Sequence, residues 1–196
     1  VTTVTATDAD LPAQTLTYSI SGGADAAKFT INASTGVLSF IAAPNYEAPT
    51  DAGANNVYDV TVQASDGTLT DTQAIAITVT NLNEAPVITS GAAVSVAENQ
   101  TGVTTVTSSD VDGGSPVYTI VGGADAALFS LDSATGALTF NSAPDFEAPA
   151  DAGADNVYDV VVAVSDGSNT DSQAIAVTVT NVSGTYTGTS GNDTLI

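Results

Sequence analysis

The chain has 196 residues, 22 of them acidic and only one, Lys28, basic, which gives a formal net charge of −21 at pH 7. Such a surface repels nucleic acid and anionic lipid, because binding to either depends on Lys and Arg side chains that neutralise phosphates. Cys and His are absent, which excludes disulfides, thiolate or imidazole metal sites, and Ser-His-Asp or Cys-His catalysis. With 43% hydrophobic residues the chain can still bury cores, so we expect a globular protein that attracts cations.

The sequence contains one internal repeat. The opening VTTVTATDAD recurs as VTTVTSSDVD at 103–112, and AAPNYEAPTDAGANNVYDV recurs as SAPDFEAPADAGADNVYDV. Residues 18–82 align position for position with 118–182. A repeat of this length predicts tandem domains, which we place at 1–82 and 83–182, followed by a tail at 183–196.

Each copy has a hydrophobic period of two. Tyr58, Val60 and Val62 alternate with polar residues, and the same alternation recurs in the second copy. This pattern is typical of half-buried strands, and no helical period extends beyond about one turn. The segment FTINASTGVLSF predicts a hairpin in which Gly36 supplies the positive φ of a tight turn. About seven short strands in about 100 residues indicate a β-sandwich.

The two copies differ at their beginnings. A strand-like run at about residues 86–99 precedes VTTVT of the second copy, and nothing equivalent precedes Val1. Two explanations stay open for the first copy. Either the chain is a piece of a longer protein, or a neighbouring copy donates the strand and builds a fibre, since unpaired strand edges recruit other chains. The tail, which belongs to neither copy, is a candidate donor.

Acidic residues recur at the predicted domain ends. D-x-D pairs place two carboxylates on one side of an extended segment, and the SDG turns bring another carboxylate to the same end. These motifs contribute Asp8, Asp10, Asp66, Asp110, Asp112 and Asp166. The opposite end is expected to carry Glu47, Asn81, Asn83, Glu84, Asp145 and Glu147. Carboxylates about 4 Å apart repel by roughly 1 kcal/mol per pair in water. Calcium, which takes six to eight oxygen ligands, would make the net electrostatic interaction at such a cluster attractive.

These motifs follow the order in which cadherin repeats carry them. The D-x-D pairs, the A-S-D-G and V-S-D-G turns, the N-Y-E and D-F-E segments and N-L-N-E-A-P correspond to cadherin D-x-D, A-x-D-x-G, D-R-E and D-x-N-D-N-x-P. Residues 1 to about 182 therefore resemble two tandem cadherin-type repeats, of the sort found in large bacterial surface adhesins. The resemblance implies an all-β fold of two cadherin-like, Ig-like Greek-key sandwiches.

The resemblance also implies calcium between successive repeats. A site between the two copies would use Glu47, Asn81, Asn83, Glu84, Asp110, Asp112 and Asp166. A downstream site would use Glu98, Asp145 and Glu147, and an upstream site would use Asp8, Asp10 and Asp66. Asn45 and Asn81 replace acidic residues of the family, and the linker is one residue shorter. We therefore expect about one to three ions, bound more weakly than at a fully acidic site.

Two other segments carry oxygen ligands. The loop DAGANN at 51–56, repeated as DAGADN at 151–156, is either a calcium loop of no EF-hand spacing or a turn that satisfies its own backbone. The tail GTSGNDTLI at 188–196 resembles one unit of the RTX nonapeptide. One unit cannot complete a β-roll, but the resemblance implies calcium-dependent type I secretion and an extracellular, cell-surface location.

Enzymatic activity is not expected, because the acids repeat once per domain at its ends, as structural ligands would. Two functions remain. The chain is a calcium-rigidified spacer of a bacterial surface adhesin, with assembly into fibres by strand donation, or it is a module that binds carbohydrate or another cell. With no Trp, six Tyr and five Phe, several explained by core alternation, the chain favours the spacer. The expected partners are calcium and other copies of the chain, with neither nucleic acid nor membrane insertion.

Overall fold

The computed structural model describes residues 1–9 and 14–182. Asp10 and the RTX-like tail at 183–196 lie outside the described residues. The chain divides into two compact units, unit 1 at Val1–Leu82 and unit 2, which begins at Asn83. The described residues include no helix that is long and apolar enough to cross a membrane.

Unit 1 consists of two antiparallel sheets. Its strands are β1 (Thr2–Thr3), β2 (Thr17–Gly22), β3 (Phe29–Ile31), β4 (Val37–Phe40), β5 (Val57–Ser65) and β6 (Thr70–Thr78). One sheet has the order β1-β4-β3 and the other the order β2-β5-β6. A 3-10 turn at Ala26–Lys28 leads into β3. The prediction of an all-β sandwich is confirmed.

The core of unit 1 follows from the period-two alternation. Leu38 of β4 and Tyr58, Val60 and Val62 of β5 are almost completely buried. The ring of Tyr58 stands edge-on to that of Phe40, with centroids 5.1 Å apart. Each strand therefore contributes alternate side chains to the space between the two sheets.

The predicted hairpin joins β3 to β4. Phe29 pairs with Phe40, and Ile31 pairs with Leu38. Gly36 in the turn has φ +69°, and a Cβ atom there would lie 2.2 Å from the carbonyl oxygen of Val4. Glycine is thus required both for the backbone angle and for the close approach to the neighbouring chain segment.

Unit 2 has a larger set of strands. They are β7 (Val87–Ile88), β8 (Ala93–Ala97), β9 (Gly102–Thr105), β10 (Ser108–Ser109), β11 (Val117–Gly122), β12 (Phe129–Leu131), β13 (Ala137–Phe140), β14 (Val157–Ser165) and β15 (Thr170–Thr180). The larger sheet has the order β11-β14-β15-β8, the smaller has the order β12-β13-β9, and β7 pairs with β10. Strand β8 is parallel to β15, whereas the other pairs are antiparallel.

The single leading strand predicted at about residues 86–99 is wrong in one respect, because it forms two strands. β7 pairs with β10, through Ile88 opposite Ser108, and β8 pairs with β15, through Val96 opposite Val179. The chain leaves one pairing partner and reaches another across the bend around Gly91. The break allows one short segment to cover two separate strand edges.

The parallel strand β8 changes the burial of its neighbour. In β15, Ile175 and Val177 are 1% and 0% exposed. The corresponding residues of β6 in unit 1, Ile75 and Ile77, are only partly buried. Among the described residues of unit 1, no strand pairs with β6 on the side that β8 covers in unit 2. Each unit thus has its own core of the same design, and within the described ranges only in unit 2 does a further strand cover the last strand of the larger sheet.

Candidate metal centres

The leading end of unit 2 is formed by Asn83, Glu84 and two loops, at 110–112 and 166–169. Asp166 follows β14, and its Oδ1 accepts the N–H groups of Ser168 and Asn169 at 2.6 and 2.7 Å. Its Oδ2 accepts the side-chain amide of Asn83 at 2.7 Å. The N–H groups of Asn169 and Ser168, followed by the Asn83 amide, lower the pKa of Asp166 below its ordinary value. These contacts therefore favour the ionised form of Asp166.

The second loop approaches the same segment. Asp110 Oδ1 accepts the N–H of Asp112 at 2.9 Å, which fixes the turn of the D-x-D pair. Asp112 Oδ2 then accepts the backbone N–H of Glu84 at 2.8 Å. The structure thus joins Asn83 to Asp166 and Glu84 to Asp112, four residues that the sequence placed in one predicted site.

Asn169 is a further residue of this end that the sequence analysis missed. Its side-chain amide donates to the backbone carbonyl of Asn83 at 3.0 Å and to that of Glu84 at 3.2 Å. The available signal was a difference between the repeats, because Leu69 stands at the equivalent position. Motifs built from acidic residues do not draw attention to an uncharged amide.

The trailing end of unit 2 gathers Glu98, Asp145 and Glu147. Each offers a carboxylate oxygen, and these oxygens lie within 4.8 Å of one another. Glu98 is 5% exposed, and its two oxygens accept the N–H groups of Phe146 at 3.1 Å and Val182 at 2.8 Å. Asn181 donates its side-chain amide to Glu147 at 2.5 Å. Asn181 was also missed, although it is the repeat equivalent of Asn81.

The donor set at the trailing end suits a hard divalent cation. Three carboxylates approach closely, yet unit 2 contains neither Lys nor Arg, since the only basic residue of the chain is Lys28. Each backbone N–H occupies one lone pair of a Glu98 oxygen and leaves another available. Carboxylate and carbonyl oxygens are the ligands that calcium prefers, so this arrangement fits that ion.

Unit 1 presents its predicted residues differently. Asp8 and Asp66 line one groove of about 520 Å³, and the N–H groups of Leu69 and Thr68 lower the pKa of Asp66. Glu47 and Asn81 are exposed, and the Glu47 N–H bonds to the Asn45 side chain at 2.9 Å. Asp10 lies outside the described residues. Within the described part of unit 1, no three acidic side chains gather closely enough to share an ion.

The DAGANN loop is a turn that satisfies its own backbone. The buried carboxylate of Asp51 accepts the N–H groups of Gly53, Asn55 and Asn56 at 3.1, 2.9 and 3.1 Å. Asp25, also buried, accepts the N–H of Ala52 at 2.7 Å. In unit 2, Asp125 likewise accepts the N–H of Ala152, and Asp151 accepts the N–H groups of Asp155 and Asn156. Of the two explanations left open by the sequence, these contacts favour the turn.

Comparison with known proteins gives matches of three kinds. Residues 1–80 match the family model of the cadherin domain. A segment of 35 residues, 18% of this chain, is 57% identical to halomucin of Haloquadratum walsbyi, and the segment covers, to the nearest per cent, 0% of that protein.

Two solved structures illustrate the third kind. Human protocadherin-24 EC1-2 has a TM-score of 0.60 at 22% identity, covering 88% of this chain and 85% of that one. Mouse clustered PcdhgC3 EC1-3 has a TM-score of 0.52 at 24% identity, covering 85% of this chain and 55% of that one. These similarities concern the fold, which is that of a cadherin-like β-sandwich.

Proposed function

We propose that this chain is a calcium-binding spacer of an extracellular bacterial surface adhesin, built from two cadherin-like repeats. The observation that carries the proposal is the cluster of Glu98, Asp145 and Glu147 in a unit without basic residues. The cadherin match over residues 1–80 and the cadherin-like fold support it, because cadherin domains bind calcium and are non-enzymatic, extracellular adhesion domains. The RTX-like tail sequence supports a bacterial protein exported by type I secretion.

Calcium acts here as a restraint on the chain. The proposed ligands include the carboxylates at the two ends of unit 2. They also include Glu47 and Asn81, which precede Asn83 in the chain, and Asp8, Asp10 and Asp66. Without a cation these acidic groups repel one another, and the connection at 81–84 is free to bend. An ion held by residues of successive repeats removes that repulsion and stiffens the connection.

Strand donation between copies is the second part of the proposal. In unit 2, β7 lies against β10, and the Ile88 N–H donates to Asp171 at 2.9 Å. In unit 1, Ala6 and Thr7 are the repeat equivalents of β10, and Asp71 is the repeat equivalent of Asp171. All three line the groove of about 520 Å³ in unit 1. A donated strand with the alternation of β7 and β8 would fill this groove and cover β6.

Small-angle scattering combined with thermal melting tests both parts. In EGTA we expect a flexible particle. Millimolar calcium should lengthen and stiffen it and raise its Tm, by mass action on the folded state. A triple variant, Glu98→Gln with Asp145→Asn and Glu147→Gln, is the matched control and should lose part of the gain.

The other outcomes are equally informative. Calcium-dependent growth into larger species supports strand donation, whereas a monomer at every protein concentration contradicts it. Identical profiles in EGTA and calcium would contradict the spacer function. Binding of carbohydrate or cells would then become the function to test.

A further inference from the structure

We infer that Asn169 is a positioning residue for the cation site at the leading end of unit 2, an inference that rests on the proposed function. Asn169 contributes no ligand to the predicted set. Its amide instead fixes the backbone of Asn83 and Glu84, and thereby the place of their side chains relative to Asp112 and Asp166.

The contacts hold residues 83 and 84 from two sides. On one side, the Asn169 amide donates to the carbonyls of Asn83 and Glu84 at 3.0 and 3.2 Å. The Asn83 amide returns a hydrogen bond to Asp166 at 2.7 Å. On the other side, Asp112 accepts the Glu84 N–H at 2.8 Å. Backbone and side chain are therefore tied to the two loops that carry the carboxylates.

Asn169 itself is anchored by one of those carboxylates. Its backbone N–H donates to Asp166 Oδ1 at 2.7 Å, so the backbone that carries its side chain is fixed in the turn. The same carboxylate thus organises the loop and receives the Asn83 amide through its other oxygen. Moving Asn169 would disturb the contacts of Asp166 as well as those of Asn83.

The amide has the right chemistry for this position. The surrounding segments contain Glu84, Asp110, Asp112 and Asp166, all formally negative. A Lys or Arg donor would bring a positive charge that repels a cation, and a carboxylate could not donate to the carbonyls. An Asn side chain donates two hydrogens without charge, so it holds the backbone and leaves the carboxylates available.

The SDG loops of the two repeats differ in the residue at this position. Leu69 occupies the equivalent position of unit 1, and its N–H donates to Asp66 at 2.6 Å in the same turn. Its side chain is 68% exposed and has no group that can donate. The backbone of the SDG loop therefore accepts either Leu or Asn at this position. Only the Asn side chain of unit 2 can donate hydrogen bonds to backbone carbonyl groups, and the Leu side chain of unit 1 cannot.

The experiment is a calcium titration of the full chain followed by backbone NMR. The amide signals of Gly113 and Gly167 report on the leading end, and those of Phe146 and Val182 report on the trailing end. Asn169→Leu installs the residue that unit 1 accepts. We expect it to raise the midpoint at Gly113 and Gly167 about tenfold, the effect of losing two neutral hydrogen bonds, and to leave the trailing end unchanged.

Two further variants make the result decisive. Leu69→Asn is the matched control and should leave both sets of midpoints unchanged. Asn169→Asp keeps the shape, removes the donor and adds a carboxylate. Weaker binding at the leading end supports a positioning role, and tighter binding overturns it. Wild-type midpoints in Asn169→Leu would overturn the inference while the proposed function stands. Failure of the wild-type chain to bind calcium would instead overturn the proposed function.

Discussion

The backbone N–H of Val182 donates a 2.8 Å hydrogen bond to Oε1 of Glu98. Because the other oxygen accepts the N–H of Phe146, one buried carboxylate joins the end of β8 to two other chain segments. The same side chain approaches Asp145 and Glu147. Glu98 therefore organises the backbone at the trailing end of unit 2 through hydrogen bonds that do not depend on an ion.

Glu98→Gln tests this dual role. The amide nitrogen would face a backbone N–H, so we expect a loss of about 1–3 kcal/mol of unfolding free energy in EGTA, and a larger loss in calcium. Glu47→Gln, at an exposed position, should cost at most about 0.5 kcal/mol in EGTA. Urea unfolding measures both. Equal effects of the two substitutions would contradict the organising role of Glu98.

The cover provided by β8 can be measured with a matched pair of alanine variants. Ile175→Ala removes a side chain that is 1% exposed and should cost roughly 2–5 kcal/mol. Ile75→Ala removes a partly buried one and should cost roughly half as much. Hydrogen exchange with peptide-level resolution assigns each loss to its own unit. Equal costs would show that β8 contributes no protection.

Gly136 should tolerate substitution less well than Gly167. Both residues have positive φ, +72° and +100°. A Cβ at Gly136 would lie 2.2 Å from the Val106 carbonyl oxygen, whereas nothing lies within 4 Å of one at Gly167. Gly167→Ala should cost about 1–3 kcal/mol through backbone strain, and Gly136→Ala should cost more because the clash adds to the strain. Denaturant melts that rank the variants in the opposite order would refute the steric argument.

The Asp151 turn should make unit 2 sensitive to acid. Burial acts to raise the pKa of Asp151, but the N–H groups of Asp155 and Asn156 outweigh it, so the pKa lies below its ordinary value of 3.8. Since the folded state binds the proton more weakly than the unfolded state, this stabilisation is complete above pH 3.8 and is lost as the pH falls through the lower, folded-state pKa. Asp151→Asn should therefore lower the free energy of unfolding at pH 7. The difference in unfolding free energy between Asp151→Asn and wild type should become smaller below pH 3.8. A difference independent of pH would contradict this account.

Much of the fold follows from alternation alone. The buried faces of β5 and β14 and the hairpin at Gly36 were predictable, because a period of two and a turn glycine are local properties. The division of the leading segment into β7 and β8 was not. Ile88 and Val96 are both even-numbered, so the alternation keeps its phase across the bend, and only the tertiary partners reveal two strands.

The candidate sites show the same limit. Carboxylates such as Glu98 and Asp145 could be found because their residue type and repeat position identify them. Asn169 could not, since its role depends on carbonyl groups 85 and 86 positions away in the chain. The sequence also left the role of Asp51 open. The role of Asp51 depends on which backbone N–H groups the folded loop directs toward its carboxylate.

The near absence of basic residues has a consequence for proteolysis. Proteases of trypsin specificity cleave after Lys or Arg, and this chain offers them only the Lys28–Phe29 bond. That bond joins the 3-10 turn to β3, the Lys28 N–H donates to the Asp25 carbonyl, and the Lys28 carbonyl accepts the Ile41 N–H. Cleavage requires an extended, accessible segment, so the folded chain should resist digestion by such enzymes.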